Sequence, residues 1–344
     1  MLRAPKFWFR KKNEINIPSL LLTPLSKFWD FLIKRRIRLG SWEKMPLPII
    51  CVGNIVIGGA GKTPVTQALQ TLLNEMGLEP HVVSRGYRGK VRKPTYVSAT
   101  SDFSDVGDEP ILLSKNGPVW IAKNRTLGIR KAWENGANVV LLDDGFQNTG
   151  AAKDLSLVVV DTKILFGNER SIPAGPLREP ISSGLSRADA IILVNHDASK
   201  KSKKPDFDFP KHLPIINAIT KPHTKMSDWA GKSVVAFSGI AHPEKFRVIL
   251  DNLNCKVVSF DNFPDHYPYK KGDIEKLKTK AKNLNAILVT TEKDFIRIPS
   301  SQQETILTIP IQIEFENKTI LKKMLQEKLQ KDSDIKKIIP NLSR

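Results

Sequence analysis

The sequence predicts an α/β protein: a mostly parallel sheet flanked by helices, with a second, smaller α/β domain and an amphipathic N-terminal helix. Three observations carry that expectation. The 344 residues are 40% hydrophobic and 26% charged. At roughly 150 residues per domain this is enough for two domains, and the chain is too apolar to be disordered. From about residue 48, short apolar β-rich runs alternate with helical segments, the pattern of strands buried on both faces of a parallel sheet. One of these runs passes through a glycine-rich turn straight into a helix with an apolar stripe.

Residues 1–45 form a distinct basic segment. Positions 1–40 hold ten basic residues (Arg3, Lys6, Arg10, Lys11, Lys12, Lys27, Lys34, Arg35, Arg36, Arg38) against Glu14 and Asp30, a net +8 out of +19 for the whole chain. Leu21, Leu25, Phe28, Trp29 and Leu32 recur at helical spacing over 20–33, and the following cations suit a helix C-terminus. Such a helix can lie on an anionic membrane surface, each nearby cation adding about 1 kcal/mol. The alternative is that its apolar face packs on the protein's own core. Pro18 and Pro24 interrupt the leader-like run, and no stretch reaches the ~18 apolar residues of a span. Cys51 and Cys255 are too far apart to frame a zinc site. The expectation is a peripheral protein at the cytoplasmic face of a membrane.

Strands are expected at 48–52, 81–84, 119–122, 139–142, 155–160 and 190–194, making a domain over 46–215. The helix after the first strand has Pro64 in its first turn, a stripe of Val65, Ala68, Leu69, Leu72, Leu73 and Met76, and Gly77 as its stop. Composition turns to Lys, Pro and Asp between 199 and 213, where the cluster Lys200, Lys201, Lys203 and Lys204 reads as a linker turn. Runs at 233–237, 256–260, 286–290 and 309–314 then make a smaller domain over 216–316, followed by a C-terminal helix in 317–344.

The strongest local signal is Gly58-Gly59-Ala60-Gly61-Lys62-Thr63-Pro64 between strand and helix. Glycines let backbone N–H groups curl around phosphate, Lys62 supplies a cation to the β- and γ-phosphates, and Thr63 can ligate Mg²⁺. The strict phosphate-loop spacing fails, because its first glycine would fall on Val56. The loop instead reads like that of partner-dependent regulatory ATPases, the competing functional reading. Ile57 stands where those carry an extra lysine, so the chain is expected to work as a monomer. A second element, Val139-Val140-Leu141-Leu142-Asp143-Asp144, feeds four apolar residues into two acids; one of Asp143 and Asp144 would position Mg²⁺, directly or through water. Arg85 after the second strand, Asp108-Glu109 ahead of a helical run, and His266 among aromatics and prolines are further polar clusters. The basic excess permits nucleic acid as a partner, but no RRM, KH, zinc-finger or helix-turn-helix signature is present, so none is expected.

In this order the clusters resemble the lipid A 4′-kinase (tetraacyldisaccharide 4′-kinase) family of Gram-negative bacteria. The resemblance runs through Val52-Gly53-Asn54, the glycine loop, Ser84-Arg85-Gly86-Tyr87, Val106-Gly107-Asp108-Glu109-Pro110 and Asp143-Asp144-Gly145-Phe146-Gln147. It continues with Ile172-Pro173-Ala174-Gly175-Pro176-Leu177-Arg178-Glu179-Pro180, Ala188-Asp189-Ala190-Ile191, Ala236-Phe237-Ser238-Gly239-Ile240, Phe263-Pro264-Asp265-His266 and Thr291-Glu292-Lys293-Asp294. Asn148 departs from the His that many members carry. The resemblance implies ATP- and Mg²⁺-dependent phosphorylation of the 4′-hydroxyl of a tetraacylated glucosamine disaccharide 1-phosphate, giving lipid IVA at the inner face of the inner membrane. It implies Asp108 as the base and His266 as its partner. Arg85, Arg125 and Arg178 are then candidates for the substrate's 1-phosphate, with Gln147 beside them and Glu109 a candidate metal or substrate contact.

Overall fold

The computed structural model describes residues 4–10, 16–197 and 207–329. The basic cluster at 200–204 and the segment 330–344 lie outside the described residues. In chain order, α1 (Ile17–Arg38) precedes β1 (Ile49–Gly53), α2 (Lys62–Glu75), β2 (Pro80–Ser84) and β3 (Thr95–Val97). Next come α3 (Phe103–Val106), α4 (Asp108–Leu113), β4 (Val119–Ile121), α5 (Arg125–Glu134), β5 (Val139–Asp143) and β6 (Leu155–Asp161). These are followed by α6 (Ile181–Leu185), β7 (Ala190–Asn195), β8 (Ile215–Pro222), β9 (Ser233–Ser238), α7 (Pro243–Asn252) and β10 (Lys256–Asn262). The last elements are α8 (Lys271–Asn283), β11 (Ile287–Thr291), α9 (Glu292–Ile296), β12 (Leu307–Ile309), β13 (Ile311–Phe315) and α10 (Lys318–Leu329). Two compact units result. The larger gathers the described residues of 4–194, 207–218 and 315–329, and the smaller those of 195–197 and 219–314.

A nine-stranded sheet runs in the order β13-β8-β7-β6-β1-β5-β2-β4-β3, and β8 and β13 carry the chain between the units. β1 pairs in parallel with β5 and β6, and β2 in parallel with β4 and β5; the short β3 runs antiparallel against β4, and β13 antiparallel against β8, where His223 N bonds Pro310 O and Glu316 N bonds Asn217 O. Every residue of β1, β5 and β6 is buried, which is why their sequences are almost continuously apolar. Register sets Val52 beside Asp143, so the glycine loop and the acidic pair leave the sheet from adjacent carboxyl ends.

The smaller unit has a parallel sheet ordered β10-β9-β11-β12. Alternate residues of β9 feed two cores: Val234 and Ala236 pack with Phe246 and Leu250, Val235 and Phe237 with Tyr269 and Leu277.

Two sequence expectations are corrected. The single strand expected at 309–314 is two strands in two different sheets, β12 beside β11 and β13 beside β8. The break falls at Pro310, which has no N–H to offer a ladder; its carbonyl accepts from His223 N at 2.8 Å. The helix expected at 20–33 spans Ile17–Arg38, opened by the Asn16 side chain accepting from Ser19 N and continuing through Pro24. It packs on the protein through Ser19, Ser26 and Ile33, while Leu21, Leu25, Phe28 and Phe31 remain exposed. The alternative that its apolar face lies on the chain's own core is thereby overturned. Among the described residues no helix is long and apolar enough to cross a membrane.

Candidate active site

The glycine loop folds as its residues require. Gly58 and Gly61 take positive φ of 110° and 88°, backbone that side chains resist, and Ala60 N closes a tight turn on Gly58 O at 2.9 Å. Lys62, Thr63 and Pro64 form the first turn of α2, where unpaired N–H groups favour an anion. Lys62 Nζ reaches Asn54 Oδ1 at 3.2 Å and lies 3.6 Å from Asp144 Oδ1. Asn54 is itself buried and braced on Val56 O at 2.6 Å.

Asp143 and Asp144 follow the same strand into different surroundings. Asp143 is 1% exposed and accepts from Thr66 Oγ1 at 3.1 Å and Ser84 Oγ at 3.5 Å. Burial, and then the charges of Glu109 and Asp144, push its carboxyl up to about 7 against the pull of Lys62. Asp144 turns out of the strand at φ 51° and takes both prongs of Arg178, at 2.8 and 3.2 Å. Burial raises its carboxyl too, but Lys62, Arg178 and Arg125 together outweigh that and hold it well below the usual carboxylate range.

Behind this pair runs a relay whose inner members, Glu179 and Arg187, sequence reasoning did not single out. Gln147 Nε2 donates to Asn54 O at 2.9 Å and Glu179 Oε1 at 3.1 Å, and Arg178 donates to Gln147 Oε1 at 3.3 Å. Glu179, fully buried, is held bidentately by Arg187 at 2.7 and 2.9 Å. Arg187 stacks over Phe146, 4.8 Å from the ring centre. Glu179, between Arg178 and Pro180, gives no hint in the sequence that Arg187 is its partner.

Arg125, expected as a substrate cation, is 4% exposed. One guanidinium nitrogen donates to Ala122 O at 2.6 Å, and its Nε finds no hydrogen-bond partner among the described residues. Its charge therefore bears on Asp143 and Asp144 from within the protein. Arg85 is exposed beyond β2. The loop after Arg85 packs closely on the one before Asp108: a Cβ on Gly107 would meet Tyr87 O at 2.7 Å, and one on Gly86 would meet Val106 O at 3.1 Å. Asp108 is 4% exposed at the first position of α4, its Oδ1 accepting from Glu109 N at 2.9 Å, and Glu109 is half-buried.

His266 belongs to the smaller unit, on the loop between β10 and α8. Its backbone lies in the left-handed region at φ 57°, its N–H donates to Gly239 O at 3.0 Å, and Lys293 Nζ lies 3.4 Å from its Nε2.

The donors around the loop, Thr63 and the two aspartates, are all oxygens and suit a hard cation such as Mg²⁺. Among the described residues no three His, Cys, Asp or Glu side chains gather as a metal cage. A cation here must take most of its ligands from phosphate and water, which is the habit of Mg²⁺.

A phosphate cradle at a helix start, a lysine inside it and a buried acid ending the adjoining parallel strand define a phosphate-loop protein of the kinase and NTPase class. Comparison with known proteins narrows that class. The family described as Tetraacyldisaccharide-1-P 4'-kinase matches residues 18–330, and the chain belongs to this family. It is 41% identical over 94% of its length to the Tetraacyldisaccharide 4'-kinase of Rhodospirillum centenum, covering 96% of that protein. With the enzyme of the same name from Paramagnetospirillum magneticum it shares 40% identity, over 93% of this chain and 97% of the other. Among solved structures it resembles LpxK from Aquifex aeolicus in complex with ATP, at a TM-score of 0.74 and 28% identity, covering 90% of this chain and 99% of that one. The regulatory-ATPase alternative is not favoured.

Proposed function

We propose that the chain transfers the γ-phosphoryl group of ATP to the 4′-hydroxyl of a tetraacylated disaccharide 1-phosphate, releasing ADP and lipid IVA. The observation that carries this reading is Lys62 at the start of α2, facing Asp144 beside the buried Asp143. The O–P bond to the sugar forms as the bond from γ-phosphorus to the β–γ bridging oxygen breaks. Gly58, Gly59, Ala60, Gly61, Thr63 and Pro64 cradle the phosphates, and Lys62 stabilises negative charge on the group in flight. Thr63 and one of Asp143 and Asp144 would hold Mg²⁺, with Glu109 a further candidate; when bound, the ion neutralises phosphate charge. Arg178 and Gln147 orient Asp144, and Arg85 is the exposed cation available to the substrate's 1-phosphate.

Asp108 is the proposed base for the 4′-hydroxyl proton, and His266 its partner in moving that proton. Transfer from labelled ATP to the lipid acceptor tests the assignment. Asp108→Ala should lower turnover by roughly 10²–10⁴-fold with ATP affinity retained. Lost ATP binding in a folded Asp108→Ala protein would overturn the base assignment.

The same reading extends to where the enzyme works. It acts as a monomer on the cytoplasmic face of the inner membrane, with α1 resting on the surface. The support is an uncovered row of Leu21, Leu25, Phe28 and Phe31, 76%, 59%, 60% and 60% exposed, with Lys34, Arg35, Arg36 and Arg38 at its end. Cosedimentation with vesicles should require anionic lipid and weaken in Phe28→Ser; equal binding to neutral vesicles would remove the electrostatic part of the proposal.

A further inference from the structure

We propose that Arg297 is a positioning residue that fixes His266 for its part in the reaction. The inference rests on the reading of His266 as a member of the proton-transfer machinery.

Arg297 is 2% exposed, although its side chain carries a full charge. A buried guanidinium persists only where its donors are matched, and here they are spread over three separate chain segments. Nε donates to Lys293 O at 3.2 Å on α9. One terminal nitrogen reaches Tyr267 O at 3.4 Å, the residue after His266. The other donates to Gly239 O at 3.0 Å and to Asp294 Oδ1 at 2.6 Å.

Two of these acceptors matter for His266. Gly239 O also accepts the backbone N–H of His266, so histidine and arginine meet on one oxygen. Lys293, whose carbonyl Arg297 holds, brings its ammonium 3.4 Å from His266 Nε2. Asp265 Oδ1 lies 3.9 Å from the same ring nitrogen, so Lys293 and Asp265 together bound the place of the imidazole edge. Arg297 thus ties together the backbone under His266 and the residue whose ammonium lies against its ring.

The anchor is itself anchored. Asp294 is fully buried and accepts from Gly239 N at 2.7 Å, Tyr269 Oη at 2.8 Å and Thr291 Oγ1 at 2.5 Å. Burial, then the Asp294 charge, raises the Tyr269 phenol well above its ordinary range, so it stays a donor. A Cβ on Gly239 would lie 2.9 Å from Pro264 O and 3.2 Å from Asp294 Oδ1, so the loops close only around a glycine. The left-handed φ of His266, 57°, is a backbone state that such surroundings hold in place.

The test is a double-mutant cycle on the full chain, read as kcat and KM for both substrates. Arg297→Lys keeps the charge and loses the fork; it should lower kcat by roughly 10- to 100-fold with both KM values within about 2-fold of wild type. Tyr269→Phe, which removes one hydroxyl and keeps the ring, should lower kcat in the same sense by less, and reads out the same cluster if Arg297→Lys does not fold. In a His266→Ala background neither substitution should cost anything further. An equal loss in both backgrounds, or a rise in KM with kcat intact, overturns the positioning role. Wild-type turnover in His266→Ala alone removes the reading beneath it, and this inference with it.

Discussion

Asp143 and Asp144 are neighbours in sequence whose carboxyls are driven in opposite directions, one up to about 7 and the other below the usual range. Their effects on stability therefore have opposite signs. Between about pH 4 and 7 the unfolded chain has released the Asp143 proton and the folded one has kept it, so this group makes folding less favourable as pH rises. Urea unfolding should show Asp143→Asn gaining on wild type through that window. Asp144 contributes stability above the ordinary carboxylate pKa and loses it in acid. Its side chain is 35% exposed, so Asp144→Asn should cost only about 1 kcal/mol at pH 7. Because the free protein holds a proton on Asp143 near neutrality, binding Mg²⁺–ATP should expel it. Calorimetry near pH 6.5 in buffers of different ionisation enthalpy should register up to one proton released, and none in Asp143→Asn. The sequence marks both acids through the apolar strand that leads into them. It cannot say which is neutral, because that depends on Thr66, Ser84, Glu109 and Arg178, contributed by other segments.

Elements differ in how openly the chain announces them. The stretch from β1 through the loop to α2 is legible because its causes are local: an apolar run, glycines where φ turns positive, and a proline in the first helical turn. The split at Pro310 is not legible, since partner strands far along the chain decide which sheet each half joins. α1 lies between these cases. Its apolar spacing is plain, but the side that meets the protein is the small polar one, where Ser26 Oγ donates to Ser171 O at 2.6 Å and accepts from Ala174 N at 3.0 Å. Trp29 Nε1 adds a bond to Arg178 O at 2.9 Å, tying the helix to the segment that holds Asp144. Ser26→Ala should thus cost about 1–3 kcal/mol in chemical unfolding by stranding Ala174 N. Phe28→Ser, on the exposed side, should stay within about 0.5 kcal/mol.

At the scale of the molecule, the larger and smaller units have separate cores, and β8 and β13 run through both. Calorimetry should resolve two unfolding transitions, and nucleotide should raise the one belonging to the larger unit. Ligand at 100 times its dissociation constant adds about 2.7 kcal/mol there. A single transition that moves as a whole with ATP would show the units to unfold together. The formal charge of +19 takes on meaning only when located: its densest part lies in and around α1, and cations such as Lys62, Arg125 and Arg178 surround two aspartates.

The larger unit is interrupted by the smaller one, and this bears on how the protein is made. Its sheet lacks β13, and Leu321, Leu325 and Leu329 of α10 lack their place, until the ribosome has copied all of 219–314. At ~5–20 residues per second, the wait from the end of β7 to the end of α10 is roughly 7–27 s. During that wait a nearly complete apolar sheet has an open flank and α1 already presents its leucines and phenylalanines. The smaller unit, synthesised without interruption, can fold first although it comes later. The nascent chain is thus most exposed to misassociation midway through its synthesis, when a chaperone or a nearby lipid surface has most to protect.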